Sequence, residues 1–167
     1  MTDNSPIDAH RDPVAFQQPD IGESVGAHTA LTDYHYADQF TLVINAAEIG
    51  TPEEWARAAL DTVAGIKGQL IWRGLLGLRL ARRSAPGQVA GWAIVDRGDS
   101  WITLAARSWM LTGNLVVEAV QESVSLATFV RYERPIGERV WTRAAHGHRR
   151  FAPTLLPDAQ RVLRNAR

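Results

Sequence analysis

The stretch "VAGWAIVDRGDSWITLAARSWMLTGNLVVEAVQESVSLATFVRYER", Val89–Arg134, decides the fold. Apolar residues alternate with small or polar ones, and short turn-forming breaks interrupt the alternation, which is the pattern of successive strands. "DRGD" (Asp96–Asp99) predicts the first hairpin loop, with Gly98 free to take a positive φ. A second reversal falls within Arg107–Asn114, and "QES" (Gln121–Ser123) makes the third. Sequential hairpins predict an antiparallel sheet.

Parity assigns the faces. In the last strand Val124, Leu126, Thr128, Val130 and Tyr132 form the more apolar set and are turned inward. Leu115, Val117 and Ala119 face in by the same rule, and Trp109 and Leu111 share their parity unless a bulge intervenes. Ile102, Leu104, Trp92 and Ile94 complete the inner face. The opposite face is also weakly polar at Val116, Val120 and Phe129, so a second buried surface, such as a homodimer interface, is expected there.

Downstream of Pro135 the period changes. Gly137, Trp141, Ala144, His148, Phe151 and Leu155 recur at spacings of three and four and form one helical stripe. Arg139, Arg143, His146 and Arg150 form another. Residues advance ~100° each around a helix, so His146 and His148 project roughly 200° apart and cannot grip one metal ion. His146 is read as an exposed residue among arginines. His148 is either a core histidine satisfied by a carbonyl, hydroxyl or water, or a polar group in a cavity wall. Thr128 and Tyr132 are its nearest polar companions, and no inward carboxylate is assignable. Pro153 and Pro157 predict a bend over 152–157 followed by a short final helix.

Upstream, "DQFTLVINA" (Asp38–Ala46) predicts a strand with Phe40, Leu42 and Ile44 on one face. Thr51 followed by Glu54 is a capping box, with Pro52 at the first helical position. The helix it opens should reach about Ala64 with Trp55, Ala59 and Val63 inward, and Gly65 allows a turn. "IKGQLIWRGLLGLRLARR" (Ile66–Arg83) predicts a second helix, weakened by Gly68, Gly74 and Gly77. It reads as a helix under the sheet, a basic apolar surface touching a membrane, or a mobile lid. Residues 1–33 are polar and rich in turn formers, and read as a flexible or loosely docked arm that Phe16 and Ile21 could anchor. The domain proper is placed at 34–167.

The 167 residues suit one domain, and 46% of them are hydrophobic, which suits a globular core. Eighteen basic residues balance eighteen acidic ones, which argues against a nucleic-acid binder relying on bulk positive charge. There is no cysteine, so thiolate and disulfide chemistry are excluded. The start lacks the pattern of a signal peptide, and no run of ~18 apolar residues occurs, so the expected location is the cytoplasm and membrane contact is not expected.

The element order, strand, two helices, antiparallel strands and a long C-terminal helix, resembles the START-like (SRPBCC, pollen-allergen-like helix-grip) superfamily, an α+β fold. Between about Tyr34 and Leu156 the chain is similar to a bacterial branch classed only as a domain of unknown function. The elements that carry the likeness are Gly91-Trp92, Val95–Arg97, Arg131-Tyr132, and His148-Arg149-Arg150 followed by Pro153. The resemblance implies a curved sheet gripping the C-terminal helix, with a cavity between them that holds a small apolar molecule. Some members of the superfamily are cyclases, aromatases or hydroxylase subunits. The strands read here are fewer than in its fuller members, and Trp92, Trp109 and Trp141 could fill the interior.

Three functions follow as expectations. The first is binding of a small apolar or aromatic molecule by Trp92, Trp109, Leu111, Leu126, Thr128, Val130, Tyr132, Trp141 and His148. The second is a ligand-free assembly protein. The third is a cyclase or isomerase with His148 as general acid or base. No cofactor, metal or nucleic acid is expected.

Overall fold

The computed structural model describes residues 13–82 and 85–167. It is an α+β fold with one seven-stranded antiparallel sheet and a long C-terminal helix. The strands are β1 (Phe16–Gln17), β2 (Tyr36–Val43), β3 (Gln88–Val89), β4 (Trp92–Arg97), β5 (Trp101–Arg107), β6 (Leu111–Val120) and β7 (Ser123–Tyr132). Their order is β1-β2-β7-β6-β5-β4-β3, so β4 to β7 form the expected run of hairpins and β2 closes against the last of them. Two strands beyond the five read from the sequence, β1 and β3, have two residues each, too few to show a period.

The hairpin turns differ in their chemistry. Gln121 takes a positive φ of 50° in the two-residue link between Val120 and Ser123, which face each other in the register. The β5–β6 reversal occupies Ser108–Met110, where the Ser108 hydroxyl accepts from the Met110 and Leu111 amides. Gly98 does not have the positive φ expected of it. Glycine is needed there for space, since a Cβ would lie 2.1 Å from the Trp101 ring.

The helical layer is built from α2 and α3. Helix α2 (Pro52–Arg57) begins at the expected capping box, in which the Thr51 hydroxyl accepts from the Glu54 amide and the Glu54 carboxylate from the Thr51 amide. It continues as wide π turns over Ala58–Ala64. Gly65, at φ 48°, redirects the chain into α3 (Gly65–Gln69), which again widens into π turns over Leu70–Leu75. Here the structure corrects the second expected helix. The helix ends at Leu75 with Leu76 buried as its cap, and Gly77 at φ 62° turns the chain into an irregular run that buries Leu78 and Leu80. Of the apolar residues in this segment, Ile66, Leu70 and Leu75 are exposed, because π turns shift the period at which side chains return to one face. Arg83 lies outside the described residues.

The C-terminal helix α4 spans Pro135–Asn165 without interruption, with Pro153 and Pro157 inside it. The expected bend into a separate final helix is therefore corrected. Each proline costs one intrahelical bond. Against that, Ala152, Leu155, Leu156 and Ala159 are buried around the two prolines, so packing holds the helix together. Its far end is tied to the body where Arg164 and Gln160 both donate to the Glu48 carboxylate, at 2.7–2.9 Å. Gly147 in mid-helix has open space where a Cβ would stand. Gly147→Ala should accordingly raise stability by ~0.5–1 kcal/mol in denaturant unfolding, and a lower midpoint would show that Gly147 has a packing role.

The main core lies on the inner face. Leu42, Ile102, Leu104, Val117, Val124 and Leu126 pack against Trp55, Ala59 and Leu60 of α2 and against Trp141, Ala145 and Leu156 of α4. The outer face is covered by the chain itself. A short helix α1 (Glu23–Ala27) and the residues after it bring Val25 and Leu31 onto Val116, Ala127 and Phe129. Residues 13–33, expected as a flexible or loosely docked arm, are thus docked. Buried polar groups hold them: Gln39 Oε1 accepts from the Gly22 amide at 2.8 Å, and Asn114 Oδ1 from the Ala30 amide at 2.9 Å. The Ser24 hydroxyl donates to the Glu118 carboxylate, and the rings of His28 and Trp101 stack at 4.0 Å. Residues 1–12 of that arm lie outside the described residues. The apolar outer face that suggested a second copy is covered at Val116 and Phe129 by this segment.

Candidate functional site

Strand parity and the helical stripe meet over β2 and β7. Tyr36, Asp38, Phe40 and Leu42 share one parity on β2, and the register sets Asp38 opposite Thr128 and Tyr36 opposite Val130. Since Phe40 and Leu42 are buried in the interior, Asp38 is carried in with them and is 3% exposed. From α4, His148 reaches down, and its Nε2 lies 2.9 Å from Asp38 Oδ2. The Tyr36 hydroxyl donates to the same oxygen at 2.5 Å. Asp38 Oδ1 is buried with no partner among the described residues. Trp141 caps the group, its ring 5.1 Å from Tyr36 and 5.4 Å from His148.

A buried carboxylate needs donors to replace water, and here a phenol and an imidazole supply them. The phenol responds in turn. Burial, then the hydrogen bond and charge of Asp38, push the Tyr36 pKa well above its ordinary value near 10. Because the folded value exceeds the unfolded one, Tyr36 contributes stability that is whole below about pH 10 and is lost as pH rises toward the folded value. Tyr36→Phe should therefore flatten the fall in stability above about pH 10. Denaturant midpoints measured across that range check this, and parallel curves for the two proteins would contradict it.

Beside this group a cavity of about 310 Å³ lies between the inner sheet face, α3 and α4. Its floor includes Leu111, Leu115, Leu126, Thr128 and Val130 from β6 and β7, and Trp92 from β4. Its roof is Trp141, Ala144, His148 and Phe151 of α4, and the helical layer closes it with Leu60, Ile71 and Trp72. The lining residues that reach solvent are Leu75 on one side and Arg143 and Gly147 on the other, so the opening lies between α3 and α4. Two indole N–H groups, of Trp92 and Trp141, are buried without a hydrogen-bond acceptor among the described residues, and both rings line the cavity.

Seven of the nine expected ligand-binding residues line this cavity: Trp92, Leu111, Leu126, Thr128, Val130, Trp141 and His148. Two do not. Trp109 is 58% exposed, because it sits in the β5–β6 turn, where strand parity does not apply, and Arg134 lies over its ring. Tyr132, the last residue of β7, stacks on His35 at 4.8 Å beside a shallow surface cleft. The sequence reading missed Asp38 and Tyr36, although the alternation that turned Phe40 inward already carried both. His146 is exposed, as its place on the arginine stripe implied.

Among the described residues no helix is long and apolar enough to cross a membrane. No protein-family model matches the chain, and no curated protein does. Among solved structures, a match is a crystal structure of a protein of unknown function, PA94 from Pseudomonas aeruginosa. It is 17% identical, covers 83% of each chain and has a TM-score of 0.29, a likeness that supports neither fold nor function.

Proposed function

We propose that this protein binds a small apolar or aromatic molecule in the cavity between α4 and the sheet, in the manner of a START-like helix-grip protein. The observation that carries the reading is the cavity wall. It is nearly all apolar, with Thr128, Arg143 and His148 as its polar side chains. The volume falls at the small end of ligand pockets, ~300–1,000 Å³. The Asp38–His148–Tyr36 group holds one wall in a fixed geometry, so it favours a binding surface that is formed before the ligand arrives.

Native mass spectrometry of freshly purified protein tests this through the mass of a co-purified molecule. A Gly147→Trp variant is the control. Its Cβ meets nothing, and its indole would stand at the opening without disturbing the core. The variant should fold as the parent does and lose the adduct. An adduct retained in full would place the molecule elsewhere.

A further inference from the structure

The charges around the opening narrow the ligand class. No aspartate or glutamate occurs between Asp61 and Asp96, or between Glu138 and Asp158. These two acid-free runs contain α3 and the middle of α4, the elements that border the opening. The first carries Lys67, Arg73, Arg79, Arg82 and Arg83, and the second carries Arg139, Arg143, Arg149 and Arg150. The chain as a whole is neutral, and of these cations Arg143 lines the cavity.

The cations differ in their commitments. Arg73 donates to Gln69 Oε1 and to the Ala81 carbonyl, both at 2.8 Å. The Lys67 ammonium lies 5.1 Å from the centre of the Phe151 ring, a contact between α3 and α4. Arg143 lines the cavity, is exposed, and has no ion pair or hydrogen bond among the described residues. Arg143 and His148, five residues apart, project about 140° apart around the helix. The Arg143 guanidinium thus projects away from the Asp38 carboxylate, whose Oδ2 is already taken up by His148 and Tyr36.

We propose that the cavity takes an amphiphilic anion, with its apolar body inside and a carboxylate at the opening against the Arg143 guanidinium. A guanidinium presents paired donors that match a carboxylate, and low-dielectric walls strengthen the attraction. This inference rests on the cavity reading above, and the test separates the two. Decanoate and 1-decanol share a chain length and differ in charge. Each is titrated calorimetrically at low salt into the parent protein and into Arg143→Gln, a substitution at an exposed position.

Decanoate should bind the parent about tenfold more tightly than decanol, equivalent to ~1.4 kcal/mol. Arg143→Gln should remove that advantage and leave decanol unchanged, and added salt should weaken decanoate alone. Equal affinities of the parent for both probes would overturn the anion inference and leave the cavity reading standing. A decanoate preference that survives in Arg143→Gln would overturn the role given to Arg143. Binding of neither probe would overturn both readings.

Discussion

Asp38→Ala should lower the unfolding free energy by about 2–4 kcal/mol, the range for breaking a buried, hydrogen-bonded charged group. Asp38 is the single acceptor shared by the Tyr36 hydroxyl and His148 Nε2, at 2.5 and 2.9 Å. Its removal strands both donors and leaves space between β2 and α4. Asp38→Asn should cost less, because it fills the same volume. The amide oxygen can still accept from one neighbour, while its NH₂ meets the other as a donor. Urea unfolding of the two variants measures the order. A loss below ~1 kcal/mol for Asp38→Ala would mean that solvent replaces the carboxylate and that the group does not fix the cavity wall.

Gly137→Ala should destabilise the protein by about 1–3 kcal/mol, the usual cost of overpacking, although alanine is the better helix former by ~1 kcal/mol. The reason is a backbone approach. A Cβ on Gly137 would lie 2.2 Å from the Met110 carbonyl oxygen and 3.0 Å from its carbon, and neither is a flexible side-chain end. The first turn of α4 sits directly on the β5–β6 turn, where Met110 also accepts from the Glu133 amide at 2.9 Å. One turn further along, Trp141 forms part of the cavity roof, so lifting the start of the helix should also weaken ligand binding. The same substitution at Gly147 is expected to stabilise. Thermal melts of the pair compare one chemical change in two settings, and effects of equal sign would contradict the packing described here.

Several features of this fold could be read from local chemistry alone. The capping box at Thr51 and Glu54 marked a helix start that the structure keeps. The alternation in Val124–Tyr132 marked which side of β7 faces in. The stripe Trp141–His148–Phe151 marked the face of α4 that roofs the cavity. The failures have physical causes as well. Trp109 was assigned by strand parity at a position where the chain turns. Ile66–Arg83 was read as one helix, whereas the chain takes π geometry over Leu70–Leu75 and leaves the helix there. Pro153 and Pro157 were read as breaks because the packing of Leu155, Leu156 and Ala159 around them cannot be read from the helix by itself.

Asp38 is a different case, since its signal was present. It precedes Phe40 by two residues, so the rule that turned Phe40 inward turned Asp38 inward too. Its acidic side chain argued for the surface, and of its partners His148 lies 110 residues away while Tyr36 is two residues before it on the same strand face. The polar residues that hold residues 18–31 on the outer face, Gln39, Asn114 and Glu118, were hidden for a related reason. Each makes sense only once a distant segment supplies its partner.

The most direct measurement is a methyl NMR titration of the protein with 1-decanol. If the space under α4 receives an apolar molecule, the methyl resonances of Leu111, Leu115, Leu126 and Val130 should shift together and saturate. Those of Val25, Leu31 and Val116 on the outer face should stay in place. Shifts confined to the outer cluster, or inner methyls unmoved at saturating probe, would contradict the cavity as a binding site.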